Sequence, residues 1–305
     1  MFMKQNKFHS QKEIFNLVDE SNVVLLLVGK NSYKKNYLFN SLNSNYKNKI
    51  ILKTVNDRIP LFKSAKKISS LNKKYKFNSI IAIGGGCVMD IAKLVKFILL
   101  SKTDKIKELD KYKIEKLNNK TNKFKLLVVP TTAGSGAEST KFCVSYYYKK
   151  KISISNNFIL PNYIYLNASF LNSNSYENKL SSGLDAFSQC IESLLSINSN
   201  KISTSYALKG LDLILKNFKS YLYSSNYNSR KNMQLASNLS GKAINISKTT
   251  APHAFSYYLT SHHKLSHGIS VGFLLPFFFN LLLTQRKNII SSEILNNLEK
   301  IDLKF

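Results

Sequence analysis

Four of the five histidines in this sequence fall between Thr249 and Gly268, and two of them, His253 and His267, stand where helices are expected to begin. His253 follows Pro252, whose fixed backbone and missing N–H suit the first turn of a helix. His267 lies between Ser266 and Gly268, at a turn that opens a second, apolar helix. Imidazoles on neighbouring helix starts can aim at one point, but two of them hold a catalytic metal poorly. Upstream, Asp185 and Gln189 are spaced i, i+4 and share one face of a helix that Ser181 or Ser182 would cap. A carboxylate, an amide oxygen and two imidazoles make a four-ligand N/O site. That set suits Fe(II), Zn(II) or Mn(II), and without a thiolate it is not a structural zinc site. Taken singly, His253 reads as an ordinary hydrogen-bonded histidine and Asp185 as a first-turn carboxylate favoured by the helix dipole. The joint pattern raises both.

Two small-residue loops offer a place for phosphate. Gly84-Gly85-Gly86, followed by Asp90 and Lys93, separates an expected strand from an expected helix. A backbone without side chains can approach a pyrophosphate closely, and a helix start supplies N–H groups and positive potential. The usual GxGxxG fingerprint is absent, and the bland alternative is a tight turn. Three successive glycines exceed what a turn needs. The second loop, Pro130 to Glu138, carries hydroxyls at Thr131, Thr132 and Ser135 that could meet phosphate or ribose. By itself such a loop is most often only a loop.

These groups need a scaffold, and the hydropathy pattern supplies one. Asn22–Gly29, Ile50–Val55, Asn78–Ile83 and Phe124–Val129 read as buried strands. Tyr33–Leu42, Leu61–Tyr75 and Asp90–Leu100 read as the helices between them. The alternation predicts a doubly wound parallel sheet, whose ligands bind at the carboxyl ends of the strands. Beyond about Tyr176 only helical periodicity recurs, over Gly183–Leu195, Ser203–Tyr221, Asn232–Ile246, Pro252–Thr260 and His267–Leu283. The expected division is an α/β part, residues 1–178, followed by an all-α part, residues 179–305.

At 305 residues with 44% apolar residues the chain has ample material for a core. Its 45 Lys and Arg against 17 Asp and Glu give a formal charge of +28. The excess is dispersed and accompanied by Asn, Ile and Ser, which reads as compositional bias; no nucleic-acid partner is expected. Cys87, Cys143 and Cys190 lie far apart with no CxxC pair, a reducing-compartment pattern. No signal peptide is read in the polar stretch Met1–Asn16. Phe273–Leu283 is shorter than the ~20 residues of a membrane span and reads as a buried helix, so the cytoplasm is expected and no membrane partner.

The motifs together resemble those of the iron-containing (group III) alcohol dehydrogenases: Gly84-Gly85-Gly86 with Asp90, Ala92 and Lys93; Pro130 to Gly136; Gly183, Asp185, Gln189 and Glu192; His253; and His267-Gly268. They stand in that family's order and spacing over essentially the whole chain. The resemblance implies a dehydroquinate-synthase-like fold: an N-terminal Rossmann-like domain, a C-terminal helical metal-binding domain, and a site in the cleft between. It implies Asp185, Gln189, His253 and His267 as metal ligands. It places Gly84, Gly85, Gly86, Asp90, Thr131, Thr132 and Ser135 around NAD(P), with Lys151 as the family's lysine beyond the second loop. The implied activity is reduction of an aldehyde, or oxidation of an alcohol, by a nicotinamide cofactor with Fe2+, Zn2+ or Mn2+. A homodimer is among the expectations.

Three departures stand out. The family's usual histidine is Gln189 here, a neutral and weaker ligand. Its frequent second histidine after the third ligand is Tyr257, which leaves Tyr257, His262 and His263 as unranked proton donors. Members usually continue past the position of Phe305, so the helical domain reads as shortened. The segments around Asp185–Glu192, Ile197-Asn198-Ser199 and Lys248–His253 look like phosphonoacetaldehyde reductases, which implies 2-hydroxyethylphosphonate as product. A site with Asp185 as its only anionic ligand would favour such an anionic substrate. A general short-chain alcohol dehydrogenase and a non-catalytic subunit are the alternatives. No acidic residue stands at Gly29, Lys30 or Asn31 to read a ribose 2′-hydroxyl, so both NAD and NADP are carried forward.

Overall fold

The computed structural model describes residues 5–30, 36–102, 124–148, 150–224 and 226–285. Asn31, Tyr33 and Phe305, named above, lie outside the described residues. Six parallel strands form one sheet: β1 (Asn6–Phe8), β2 (Val24–Gly29), β3 (Ile50–Val55), β4 (Ser79–Gly84), β5 (Lys125–Pro130) and β8 (Tyr163–Tyr165), in the order β1-β8-β5-β4-β2-β3. The central strands are apolar throughout because both faces are covered. Leu25 and Leu27 of β2, with Ile80 and Ala82 of β4, face helices α3 (Phe62–Ser70) and α5 (Gly86–Ser101). Val24, Leu26 and Val28, with Ile81 and Ile83, face α1 (Gln11–Asp19) and α2 (Tyr37–Asn45).

The strand order reverses between β2 and β4, and that crevice is where a doubly wound sheet receives its ligand. Gly84 pairs with Pro130 across β4 and β5, so both small-residue loops leave the sheet side by side at its carboxyl edge. The expected helix Leu61–Tyr75 is two pieces, α3 and the short α4 (Asn72–Tyr75).

Four strands escaped the hydropathy pattern. β1 and β8 have three residues each. The other two, β6 (Phe142–Tyr147) and β7 (Lys150–Ser155), form a hairpin laid on α5. Its turn carries no glycine; Tyr148 holds the left-handed conformation at φ 53°.

Among the described residues from Tyr176 to Gln285 the regular structure is helical: α6 (Tyr176–Leu195), α7 (Lys201–Tyr223), α8 (Tyr227–Ser247), α9 (Ala251–His262) and α10 (His267–Gln285). Their shared core includes Ala186, Ile191, Leu211, Met233 and Leu275. Two expectations are corrected here. Helix α6 starts before Gly183, and its cap is Ser175, which accepts from the N–H of Asn178 at 3.3 Å, not Ser181 or Ser182. Gly183 lies inside the helix because the Phe218 ring occupies the space its Cβ would take. Helix α10 is not buried all round. Val271, Leu275 and Phe279 line its inner face, whereas Phe273 and Phe277 are 74% and 65% exposed. Among the described residues no helix is long and apolar enough to cross a membrane.

Candidate metal centre and cofactor cleft

Helix α6 is the hub because small residues let other backbones approach it. A Cβ on Gly134 would lie 2.7 Å from Cα of Ser182, so the second loop sits directly on α6. A Cβ on Gly268 would overlap the Ser181 carbonyl, so the start of α10 rests on the same turn. One turn further on, Asp185 projects from α6 between these contacts.

Three of the four expected ligands converge there. Oxygen and nitrogen atoms of Asp185, His253 and His267 all lie within 4.8 Å of one another. Nε2 of His253 is 3.1 Å from Oδ1 of Asp185, and Nε2 of His267 is 3.9 Å from the same oxygen. The two imidazole rings stand 5.4 Å apart, edge to face. Asp185 and His253 are buried and His267 is half-buried. The chemistry of this donor set fits a divalent cation. With the Nδ1 proton of His253 directed at Glu192, its Nε2 lone pair would face the Asp185 carboxylate oxygen, an arrangement that a cation or a proton between them must relieve.

Gln189 reaches the cluster with its amide turned. Its Nε2 donates to Oδ1 of Asp185 at 3.1 Å and to the carbonyl of Ser135 at 3.3 Å. Its Oε1 accepts from the Ser240 hydroxyl at 2.9 Å. A half-turn of the amide would bring the oxygen to the ligand side, and Ser240 can then accept from the nitrogen.

The charges agree with a cation site. Burial pushes the Asp185 carboxyl up, but the hydrogen bond from His253, the two imidazoles beside it and the Gln189 amide outweigh burial and hold it below its usual value. For His253, burial favours the neutral ring, yet Glu192 and Asp185 together raise it to about 9. Enclosure, with help from His253 and Lys151, pushes His267 down to about 4 and leaves it neutral.

The sequence reading placed Glu192 in the motif but gave it no role at the site. It is buried on α6, its Oε2 meets Nδ1 of His253, and its Oε1 accepts from the N–H and hydroxyl of Thr250. Its signal was present: 185, 189 and 192 follow i, i+4, i+7 spacing and so line one helix face. Two of the expected proton donors, His262 and His263, lie apart from the cluster. His262 stacks on Tyr258 at the far end of α9, nine residues or about 13 Å of rise beyond His253, and His263 is exposed beside it. Tyr257 follows His253 by one turn and is 40% exposed.

The cofactor loop is also assembled. Gly85 caps α5, and the amides of Gly86 and Cys87 precede the first bond of that helix. Thr132 and Ser135 close the loop from the second side. A Cβ on Gly85 would lie 3.3 Å from the Thr132 side chain, and one on Gly86 2.9 Å from the Ser135 hydroxyl. Thr131 is buried; its N–H bonds the Gly84 carbonyl, tying the two loops together. Asp90 turns away from the loop, accepting from the N–H of Val144 at 3.1 Å and standing 3.9 Å from the buried Lys93. Burial pushes Asp90 up to about 6, opposed by Lys93 and Val144. Lys151, half-buried on β7, is lowered by burial and interacts with both Asp185 and Asp90, where the two halves of the cleft meet.

Comparison with known proteins agrees with this geometry. The chain is 30% identical over 198 residues to the 4-hydroxybutyrate dehydrogenase of Clostridium kluyveri, covering 63% of this chain and 52% of that protein. The chain spans about half the length of the curated relatives it matches. The iron-containing alcohol dehydrogenase of Thermotoga maritima superposes with a TM-score of 0.81 at 27% identity, over 98% of this chain and 86% of that one. A sulfoacetaldehyde reductase from Bifidobacterium kashiwanohense, solved with NAD+, shares the fold at 23% identity, with a TM-score of 0.78 over 92% of this chain and 76% of that one. Residues 4–168 match the family described as iron-containing alcohol dehydrogenase, and residues 179–300 match the C-terminal part of the Fe-containing alcohol dehydrogenase family. With both parts of the chain matched and with His253 and His267 meeting Asp185 within the helical part, this chain belongs to the iron-containing alcohol dehydrogenase family.

Proposed function

We propose that the chain acts as a metal-dependent NAD(P)H aldehyde reductase, and that its substrate is phosphonoacetaldehyde, reduced to 2-hydroxyethylphosphonate. The observation that carries this reading is the convergence of Asp185, His253 and His267, linked to the glycine turn through Gln189, which donates to the Ser135 carbonyl, and through the Ser135 hydroxyl, which closes on Gly86. Gln189 would complete the ligand set after a half-turn of its amide. When bound, a divalent metal supplies Lewis-acid polarisation of a carbonyl oxygen and the nicotinamide supplies hydride. The chain's own residues arrange that chemistry. Gly84–Gly86 and the start of α5 receive the pyrophosphate, with Thr132 and Ser135 on its other side. Lys151 lends positive charge where cofactor and substrate would meet, and that charge suits an anionic aldehyde. Tyr257, one turn beyond His253, is the hydroxyl we assign to returning a proton to the product oxygen, together with solvent. The three unpaired cysteines fit a reducing cytoplasm.

The test is NADH and NADPH oxidation by protein loaded with Fe(II), Zn(II) or Mn(II). Phosphonoacetaldehyde, sulfoacetaldehyde, succinic semialdehyde and simple aldehydes are compared. Turnover highest with phosphonoacetaldehyde supports the whole reading. Preference for an uncharged aldehyde removes the phosphonate assignment, and no metal-dependent turnover with any of them removes the reductase.

A further inference from the structure

We infer that Glu192 is the positioning residue of the metal site: it fixes the tautomer of His253 and anchors the helix that carries it. This rests on the metal-site reading above and adds to it a role for Glu192, a motif residue outside the ligand set.

The geometry is that of one buried carboxylate with two distinct tasks. Glu192 is 1% exposed and lies on α6, seven residues beyond Asp185. Its Oε1 accepts from the N–H of Thr250 at 2.8 Å, the Thr250 hydroxyl at 2.9 Å and the N–H of His253 at 3.3 Å. Those amides are among the unpaired donors that every helix leaves at its N-terminus, and Thr250 makes no side-chain cap of its own for α9. The cap of α9 is therefore a side chain of another helix. A negative group is also favoured at that end of the helix dipole.

The second oxygen, Oε2, meets Nδ1 of His253. An ionised carboxylate only accepts, so Nδ1 must hold a proton. In the neutral ring Nε2 is then bare, and Nε2 is the atom 3.1 Å from Oδ1 of Asp185. One residue thus selects which nitrogen faces the cluster, and where the helix bearing it begins. Residues in this outer position commonly change metal affinity 10- to 100-fold when altered.

Glu192→Gln separates the two tasks. Its amide oxygen can still accept from Thr250 and His253, but its nitrogen now donates to Nδ1, which must give up its proton and leave Nε2 protonated. We expect roughly 10- to 100-fold weaker Zn(II) binding with little change in Tm. In ¹⁵N NMR of zinc-loaded wild-type protein, Nδ1 of His253 should carry the proton and Nε2 the metal shift. Thr250→Ala removes one contact to the cap but not the contact to Nδ1; it should lower Tm slightly and keep zinc affinity. Wild-type-like zinc affinity in Glu192→Gln, or a wild-type His253 protonated on Nε2, overturns the inference. The wild-type spectrum decides even if the variant does not fold. If wild-type protein binds no zinc, the metal reading has failed on its own, and the tautomer is then read at pH 10 from metal-free wild-type protein, with Nε2–H as the overturning result.

Discussion

Gly136 and Gly241 touch backbone to backbone where the sheet half meets α8. A Cβ on Gly136 would lie 2.5 Å from Cα of Gly241, and one on Gly241 would overlap the carbonyl of Gly136. Gly136 also holds φ at 54°, a region where a side chain is strained. Both neighbours are main chain, so neither can swing aside. Gly241→Ala gains up to about 1 kcal/mol of helix propensity but must push the loop off α8. Overpacking should win, for a net loss of about 1–3 kcal/mol in urea unfolding. A variant as stable as the parent would show that the seam is looser than this contact implies.

The cofactor loop gives the second prediction. Gly85 has φ −81° and ψ −172°, extended backbone that any residue adopts, so alanine there does not strain the chain. Its new methyl would crowd Thr132, a side chain that can yield, and would stand at the mouth of the loop. Gly85→Ala should therefore fold normally while NAD(P)H affinity falls about tenfold or more, and Gly85→Val should lose more. Fluorescence titration with NADH and NADPH reads this. Unchanged affinity in both variants would take the loop out of the cofactor site.

How far the sequence revealed this arrangement depends on whether each feature follows from local pattern. The strands β2, β4 and β5 were visible because burial on both faces leaves an uninterrupted apolar run. Helix α6 was visible from Asp185 and Gln189 onward, but its first turns are polar, and the glycine mistaken for its start is explained only by Phe218 from α7. The β6–β7 hairpin was invisible because Tyr148 adopts a backbone conformation usually given to glycine or asparagine. His253 and His267 could be paired from their helix starts. That His262, next along the chain, points away from them follows from the length of α9 and not from its composition. The outward face of α10, with Phe273 and Phe277, was equally beyond an apolar count, because such a count does not say which faces are covered.

Lys96 supplies a prediction in pH. It is fully buried in α5, and its Nζ donates to Oδ1 of Asn162 at 2.8 Å. Burial lowers its pKa from 10.5 to about 7. Below pH 7 both folded and unfolded chains carry the charge, and the folded state bears the full penalty of burying it. Between about pH 7 and 10.5 the unfolded chain binds the extra proton, so stability rises with pH; above that the penalty is gone. Lys96→Met removes the charge at similar length, and Asn162 Oδ1 keeps the N–H of Leu126 as a donor. Each tenfold weakening of proton binding corresponds to about 1.4 kcal/mol, so the variant should be stabilised by roughly a few kcal/mol at pH 6 and hardly at all near pH 10.5. Equal Tm differences at both pH values would contradict a charged, buried Lys96.

The last prediction concerns the ligand set. Asp185 supplies the only anionic ligand atom of the proposed site, and its Oδ1 faces His253, His267 and Gln189 at once. Asp185→Ala should therefore remove metal and turnover together. His253→Ala and His267→Ala should do the same, since each deletes one of the three atoms already in place. Gln189 differs in kind. To serve as a ligand its amide must turn, placing Oε1 near Oδ1 of Asp185 and the Ser135 carbonyl, a crowd of acceptors that only a cation relieves. A ligand recruited in that way contributes less than one held in position, and water can replace it. Gln189→Ala should weaken metal binding by about tenfold, less than the other three variants, and Gln189→His should restore or exceed parental retention. His262→Ala, at the far end of α9, should keep its metal. Metal content per chain after dialysis, measured beside NAD(P)H turnover, ranks all six. Full occupancy in both Asp185→Ala and His267→Ala would dismiss the site, whereas loss in Gln189→Ala as complete as in Asp185→Ala would mean that the amide already holds its ligand orientation in the folded chain.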